Sequence, residues 1–338
     1  MSKIFLAYNN ILELIGNTPL VKLNKVVEDI PGNFYAKVEA FNSGHSNKDS
    51  IALHIIETAE KKGLLKPGAT IIETTSGNTG FSLSMVSMIK GYNCILAVSS
   101  KSSPDKIDML KSMGAKVYVC PAHVSADDKR SYYQVAKRLH EEIKGSFYIN
   151  QYFNKLNTEA HFNSTGPEIW NQTNGKITHL VASSGTGGTI SGVGSYLKMK
   201  NPNVKIWGID TYGSVFKKYH ETGIFDENEI YPYVTEGIGE DFLPANVDFS
   251  IIDHFEKGPG QALRTWSVYP ESPALLAISH LFELFGGEGL LRPAMHYRWN
   301  FDEQNLDFLA AEFGLLIPPK PDRTDEETKA TFLHNSGR

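Results

Sequence analysis

Between residues 44 and 145 short apolar runs recur at intervals, separated by stretches of helical periodicity, and the apolar runs show no in-out alternation. The runs are ATIIE (69–73), NCILAV (93–98) and KVYVC (116–120). Between them lie KDSIALHIIETAEKKG (48–63), a helix across Phe81 to Ile89, SPDKIDMLKSMG (103–114) and DDKRSYYQVAKRLHEEI (127–143). A strand that is apolar on both faces must be covered on both faces, and helices inserted between parallel strands achieve this. The pattern therefore predicts a doubly wound α/β domain. Lys-Lys-Gly at 61–63 reads as a helix stop and Ser103 as a helix start.

A second series follows Phe153: the helix TEAHFNSTGPEIWNQT (158–173), the strand HLVAS (179–183), a glycine-rich turn, a helix from Thr189 to Met199 and the strand VKIWGID (204–210). The run GNFYAKVE (32–39) is expected to join this second sheet, so that the larger domain uses both ends of the chain. The division expected is a smaller α/β domain at 45–149 and a larger one at 1–44 plus 150–338, with a ligand cleft between them. Beyond about Lys257 the rhythm is lost: prolines stand at 259, 270, 273 and 293, and LLIPPKPDRTDEETKAT adds three more with a charge run, so 257–338 is atypical. No solenoid-type repeat is present.

A formal net charge of −5 and no basic stripe argue against nucleic acid as a partner. No stretch reaches the roughly 20 apolar residues of a membrane span, and the N-terminus lacks an apolar leader core, so a cytoplasmic protein is expected. Cys94 and Cys120, ending GYNC and KVYVC, read as reduced core thiols, and no metal site is expected.

Three polar turns carry chemistry. SSGTGGTISG (183–192) follows a strand and opens a helix, and Gly185, Gly187 and Gly188 let successive N–H groups point into one hollow suited to a phosphate. It is neither a Walker loop nor the dinucleotide fingerprint, and tight turns call for glycine whatever they bind. TTSGNTG (74–80) supplies Thr74, Thr75, Ser76, Asn78 and Thr79, more polar groups than a helix cap needs, at a helix start suited to a carboxylate. SGHSNKDS (43–50) places Lys48 at the positive end of a helix dipole, which lowers an amine's pKa and favours the neutral form needed for covalent chemistry. A solvated, inert lysine is the ordinary alternative.

These turns, with GNTPLVKL (16–23) and EGIGEDFLP (236–244), resemble the cysteine synthase and cystathionine β-synthase family of pyridoxal-phosphate enzymes, in that family's order and spacing over roughly residues 8 to 256. The resemblance implies the tryptophan synthase β-like fold, fold type II, with two doubly wound domains and the cofactor in the cleft. It implies that Lys48 bonds covalently to the cofactor aldehyde, that Asn78 hydrogen-bonds its ring hydroxyl, and that Gly185, Thr186, Gly187, Gly188 and Thr189 hold its phosphate. Thr75, Ser76, Gly77, Thr79 and Gln151 would hold the substrate carboxylate. The chemistry implied is β-replacement: Lys48 removes the α-proton of serine or O-acetylserine, the β-substituent leaves, and a thiol adds.

The acidic residue before Gly-Ile-Gly is closer in flavour to cystathionine β-synthases. Glu236, beside Gly237, would hold the amino group of homocysteine, although a solvated loop carboxylate is an equal reading. Cysteine synthesis from O-acetylserine and sulfide, serine or threonine deamination, and a catalytically impaired binding protein are the alternatives. The sequence departs from the family at Ser50 and at Asn42-Ser43, and more seriously in the tail, where Ser279 stands nearest to the serine that contacts the cofactor's pyridine nitrogen but lacks its glycine. A short, bacterial-style form acting as a homodimer on small-molecule amino acid and thiol substrates is the expectation.

Overall fold

The computed structural model describes residues 7–258 other than 29, 76, 123, 126, 232 and 234–236. These divide into two units: residues 7–21, 35–206 and 244–253 form the first, and 22–34, 207–243 and 254–258 the second.

Near the chain start β1 (Leu20–Lys22) and β2 (Tyr35–Lys37) form a two-stranded sheet. The strand within GNFYAKVE thus pairs with β1, which corrects the expectation that this run joins the second sheet. Apolar composition marks a strand but does not choose its neighbour. The regular part begins with α1 (Lys48–Lys61), β3 (Thr70–Thr74), α2 (Asn78–Lys90), β4 (Asn93–Ser99), α3 (Pro104–Ser112), β5 (Lys116–Cys120), α4 (Tyr132–Glu142) and β6 (Phe147–Tyr148). These strands form one parallel sheet in the order β5-β4-β3-β6, with Ile72 opposite Ile95 and Ile95 opposite Lys116. Its four strands lie within 45–149.

The two faces of this sheet explain its unbroken apolar runs. Ile71, Cys94, Leu96 and Val98 join Ile55, Ile56, Leu83 and Val86 of α1 and α2 in one core cluster. The intervening residues Ile72, Ile95 and Ala97 join Val135, Ala136 and Leu139 of α4 in another. Successive side chains of a strand point to opposite faces, so both registers must be apolar.

Helix ends follow local chemistry. Ser103 and Ser131 accept hydrogen bonds from Lys106 N and Gln134 N, capping α3 and α4. The cap at Ser131 shortens the helix expected from Asp127, because Asp128 instead turns to Arg130, accepting from its backbone N at 2.8 Å. Gly63, at φ +68°, ends the first helix at the Lys-Lys-Gly stop. Cys94 lies at the start of β4 and not at a strand end; both cysteines are buried and unpaired with each other.

The single helix expected over 158–173 is two: α5 (Leu156–Asn163) and α6 (Thr165–Gln172), broken at Ser164, whose φ is −122° and ψ −77°. Pro167 has no N–H and its ring would collide with the carbonyl four residues back, at Asn163, where α5 stops. Then come β7 (His179–Ser183), α7 (Gly188–Lys200) and β8 (Lys205–Thr211), whose first residue donates from its N to Thr178 O at 2.9 Å.

In the second unit β8 pairs in parallel with β9 (His254–Gly258), from Trp207 opposite His254 to Thr211 opposite Gly258, and α8 (Phe216–Thr222) lies between them in sequence. Phe216 and Phe255 are 0% and 1% exposed and form its centre. Among the described residues no helix is long and apolar enough to cross a membrane.

Leu96 is fully buried in β4, whereas Val119 of β5 is 52% exposed. Leu96→Ala is expected to lower the free energy of urea unfolding by roughly 2–5 kcal/mol through the cavity it leaves. Val119→Ala should change it by less than about 1 kcal/mol.

Candidate active site

Lys48 is the first residue of α1. Part of its side chain is accessible, yet the protein around the amine removes enough water to lower its pKa to about 8, against a smaller opposing pull from the Glu39 carboxylate. The direction is the one read from the sequence, but burial and not the helix dipole is the larger cause. The loop ahead of Lys48 is fixed by the next residue: Asp49 accepts from Gly44 N at 2.5 Å and from Ser82 Oγ, on α2, at 2.5 Å. One carboxylate thereby ties the N-terminal turn of α1 to α2, whose first residue is Asn78.

A hydrogen-bonded row leads away from the amine. Lys48 Nζ donates to Asn47 Oδ1 at 3.0 Å, and Asn47 Nδ2 donates to Thr189 Oγ1 at 2.8 Å. Thr189 Oγ1 is 3.1 Å from His161 Nε2, and His161 Nδ1 is 3.0 Å from Thr165 Oγ1. Burial lowers the His161 pKa to about 3, so the ring is neutral and donates at one nitrogen while accepting at the other.

At the second turn, Gly77 is the N-cap of α2 and, having no side chain, makes no capping bond. Asn78 is exposed, and its side-chain amide has no hydrogen-bond partner among the described residues. It is not spent as a cap, the ordinary alternative for an Asn at a helix start. Thr75 Oγ1 accepts from Gly77 N at 3.2 Å. Thr79 and Gln151 are brought together: the Thr79 hydroxyl donates to Gln151 Oε1 at 2.7 Å, which leaves Gln151 Nε2 as a donor. Ser76, Glu236 and Ser279 lie outside the described residues. Gly237 belongs to the second unit, at φ +76°.

Glu73 anchors this turn from behind. It is 0% exposed, accepts from Thr74 N at 2.6 Å and from Gln151 N at 3.0 Å, and burial raises its pKa to about 7. Gln151 O in turn accepts from Asn157 Nδ2 and Asn246 Nδ2, both at 2.8 Å, and Asn157 Nδ2 lies 3.0 Å from Thr186 Oγ1. The carboxylate-type turn and the glycine-rich loop therefore share a frame.

That loop is seated without room for side chains. Gly187 caps α7 at φ +87°, and a Cβ there would come within 2.5 Å of Val247 N; a Cβ on Gly188 would meet Asn157 Oδ1 at 1.8 Å. Among the described residues no side chain caps α7, so its first N–H groups suit a ligand. Gly185 is buried beside Ser184, whose fully buried hydroxyl has no partner among the described residues. An orphaned hydroxyl, a glycine cradle and a helix N-terminus, all joined through Thr189 and Asn47 to a depressed-pKa lysine, fit a phosphate-bearing aldehyde. The residues that composition and pattern missed are Asn47, Glu73, Asn157, His161 and Asn246. Glu73 was signalled by a charge closing an apolar run, and Asn157 and His161 by their i, i+4 spacing; Asn246 carries no local signal.

Residues 11–265 match the family described as pyridoxal-phosphate dependent enzyme, and the chain belongs to that family. Its cofactor is pyridoxal phosphate. Among individual relatives, cystathionine beta-synthase of Apis mellifera is 45% identical over 250 residues, 73% of this chain and 49% of that protein. Cystathionine beta-synthase of Rattus norvegicus is 43% identical over 250 residues, 73% of this chain and 44% of that protein. Cysteine synthase 1 of Emericella nidulans is 41% identical over 240 residues, 71% and 65% of the two chains. The chain spans about half the length of the first of these. Among solved structures, a hydrogen sulfide-producing enzyme from Fusobacterium nucleatum aligns with a TM-score of 0.68 at 31% identity, over 77% of this chain and 82% of that one. O-ureido-L-serine synthase aligns at 0.67 and 32%, over 75% and 77%. The parallel α/β fold expected from the sequence is the one these structures share.

Glu73 holds a proton up to about pH 7 when folded, against 4.5 ordinarily, so the stability its burial allows is full below 4.5 and is lost as pH rises through 7. Urea midpoints measured at about pH 5 and about pH 8 are expected to fall between the two for the wild type and to fall less for Glu73→Gln.

Proposed function

We propose that the chain catalyses pyridoxal-phosphate-dependent β-replacement on serine or O-acetylserine, with cystathionine from serine and homocysteine as the leading product. The observation that carries this reading is the placement of Lys48: a partly desolvated amine with a pKa of about 8, two hydrogen bonds from the loop with the orphaned Ser184 and the glycine cradle. In this reading Gly185, Thr186, Gly187, Gly188, Thr189 and Ser184 hold the phosphate, and Asn78 meets the ring.

When bound, the cofactor supplies an electron sink for the charge left at a substrate's α-carbon. The protein's part is positional and acid–base. Thr75, Ser76, Thr79 and Gln151 hold the carboxylate, Thr79 and Gln151 having already fixed each other. Lys48 Nζ takes the α-proton, for which a pKa near neutrality is well matched, and returns it to the departing β-substituent. Similarity to cystathionine beta-synthases at up to 45% identity supports homocysteine as the thiol. Glu236 is the residue we assign to its amino group, on the family resemblance alone. Cysteine synthesis is the second reading, supported by the 41% identical cysteine synthase. We also infer, from the resemblance, a cytoplasmic homodimer in which 45–149 forms the smaller domain.

Purified protein is expected to be yellow, and borohydride reduction followed by peptide mapping should find a pyridoxyl group on Lys48. Lys48→Ala should lose the colour, with turnover reduced by roughly 10²–10⁴-fold or more. Serine with homocysteine should give cystathionine; cysteine from O-acetylserine and sulfide alone would move the assignment to the second reading, and release of ammonia from serine alone would replace both.

A further inference from the structure

Asn47 immediately precedes the lysine, at the N-cap of α1, where an asparagine ordinarily turns its side chain onto the backbone N–H groups of the first turn. Here it does not: its backbone is αR, at φ −64° and ψ −10°, and its side chain makes no capping bond. Both ends of the amide are spent elsewhere, Oδ1 on Lys48 Nζ at 3.0 Å and Nδ2 on Thr189 Oγ1 at 2.8 Å. Thr189 is held from its far side by His161, which is itself held by Thr165. The amide is therefore oriented, since a flipped side chain would set N–H groups against the donors of the lysine.

We propose that Asn47 is a positioning residue that holds the Lys48 amine, while it is not joined to the cofactor, through a neutral carbonyl braced on the phosphate loop. The inference rests on Lys48 being the cofactor lysine. A carbonyl accepts from an amine as well as from an ammonium, because both carry N–H, so it fixes the position of Nζ while favouring the charged form far less than a carboxylate would. A carboxylate at the same place would favour the ammonium, which has no lone pair to add to an aldehyde. An aliphatic side chain would leave the amine without this partner.

The titratable groups around the amine leave this task to Asn47. Glu39, from the turn before the loop, favours the ammonium but is outweighed by desolvation. Asp49 is occupied by Gly44 N and Ser82 Oγ, and burial raises its pKa. His161, from α5, is kept neutral by burial, with Lys48 and His54 lowering its pKa further. The Asn47 carbonyl is the acceptor that Nζ uses among the described residues.

The test uses the full chain stripped of cofactor. Apoprotein is mixed with pyridoxal phosphate over a range of pH, quenched with borohydride after timed intervals, and the secondary amine formed at Lys48 is measured by peptide mapping. In this trapping the amine adds to the aldehyde carbon with loss of water, and borohydride then supplies hydride to that carbon. Asn47→Asp is expected to move the pH midpoint of trapping upward by about one unit or more, the effect of a nearby opposite charge. Asn47→Leu should leave the midpoint at or below that of the wild type and slow trapping by roughly tenfold, as for one lost hydrogen bond. A purely structural role for Asn47 would lower the amount of folded protein without moving the midpoint. If wild type forms the adduct at Lys48 and both variants match its midpoint and rate, Asn47 has no such role; if wild type forms no adduct there, the cofactor-lysine assignment and this inference fall together.

Discussion

Two-faced burial of the parallel sheet is the constraint from which the site follows. Because Ile71 and Leu96 face one helical layer while Ile72 and Ala97 face another, β3 and β4 cannot shift by a residue without turning each apolar set to the wrong cluster. A sheet held in that register brings its strand ends to fixed positions. In parallel sheets the chain leaves every strand at the same edge, and ligands collect there. Thr75, Gly77, Asn78 and Thr79 follow β3 and Gln151 follows β6 at that edge, and Ser184 to Gly187 likewise follow the carboxyl end of β7.

The polar groups at these ends are expensive to bury, and the structure accounts for nearly every one. Glu73 and Asp49 are both 0% exposed, and each accepts from at least two donors that belong to different segments of chain. Such bonds make buried carboxylates into joints: Glu73 joins the end of β3 to Gln151, and Asp49 joins the loop before Lys48 to α2. Asn157 plays the same part with an amide, between Gln151 and Thr186. Ser184 differs: its hydroxyl is buried without a partner among the described residues, at the place where a phosphate would supply one.

Much of this was legible beforehand. The strands and helices of 44–145 lie close to where periodicity puts them, because burial on both faces leaves a compositional trace. Asn78 stood out because its turn holds more polar groups than a cap needs, while Lys48 and the 185–189 loop took their roles from the family resemblance. The misses share a cause. The long helix over 158–173 broke at a proline whose clash acts four residues upstream. GNFYAKVE was a strand as read, but its partner was β1. Asn157 and His161 drew no notice in the sequence, although both are 1% exposed and hydrogen-bonded to the turns of the site.

By itself the sequence determined which segments are strands, which are helices and which turns are rich enough in glycine and hydroxyl to bind an anion, since periodicity and backbone permissiveness are local properties. Only the tertiary structure decided that the Lys48 amine is lowered by desolvation more than by its helix, that Asn47 turns from its own helix to Thr189, and that Asn246 reaches Gln151 across 95 residues. Desolvation and hydrogen bonding depend on which atoms are brought together in space, and chain separation carries no record of that.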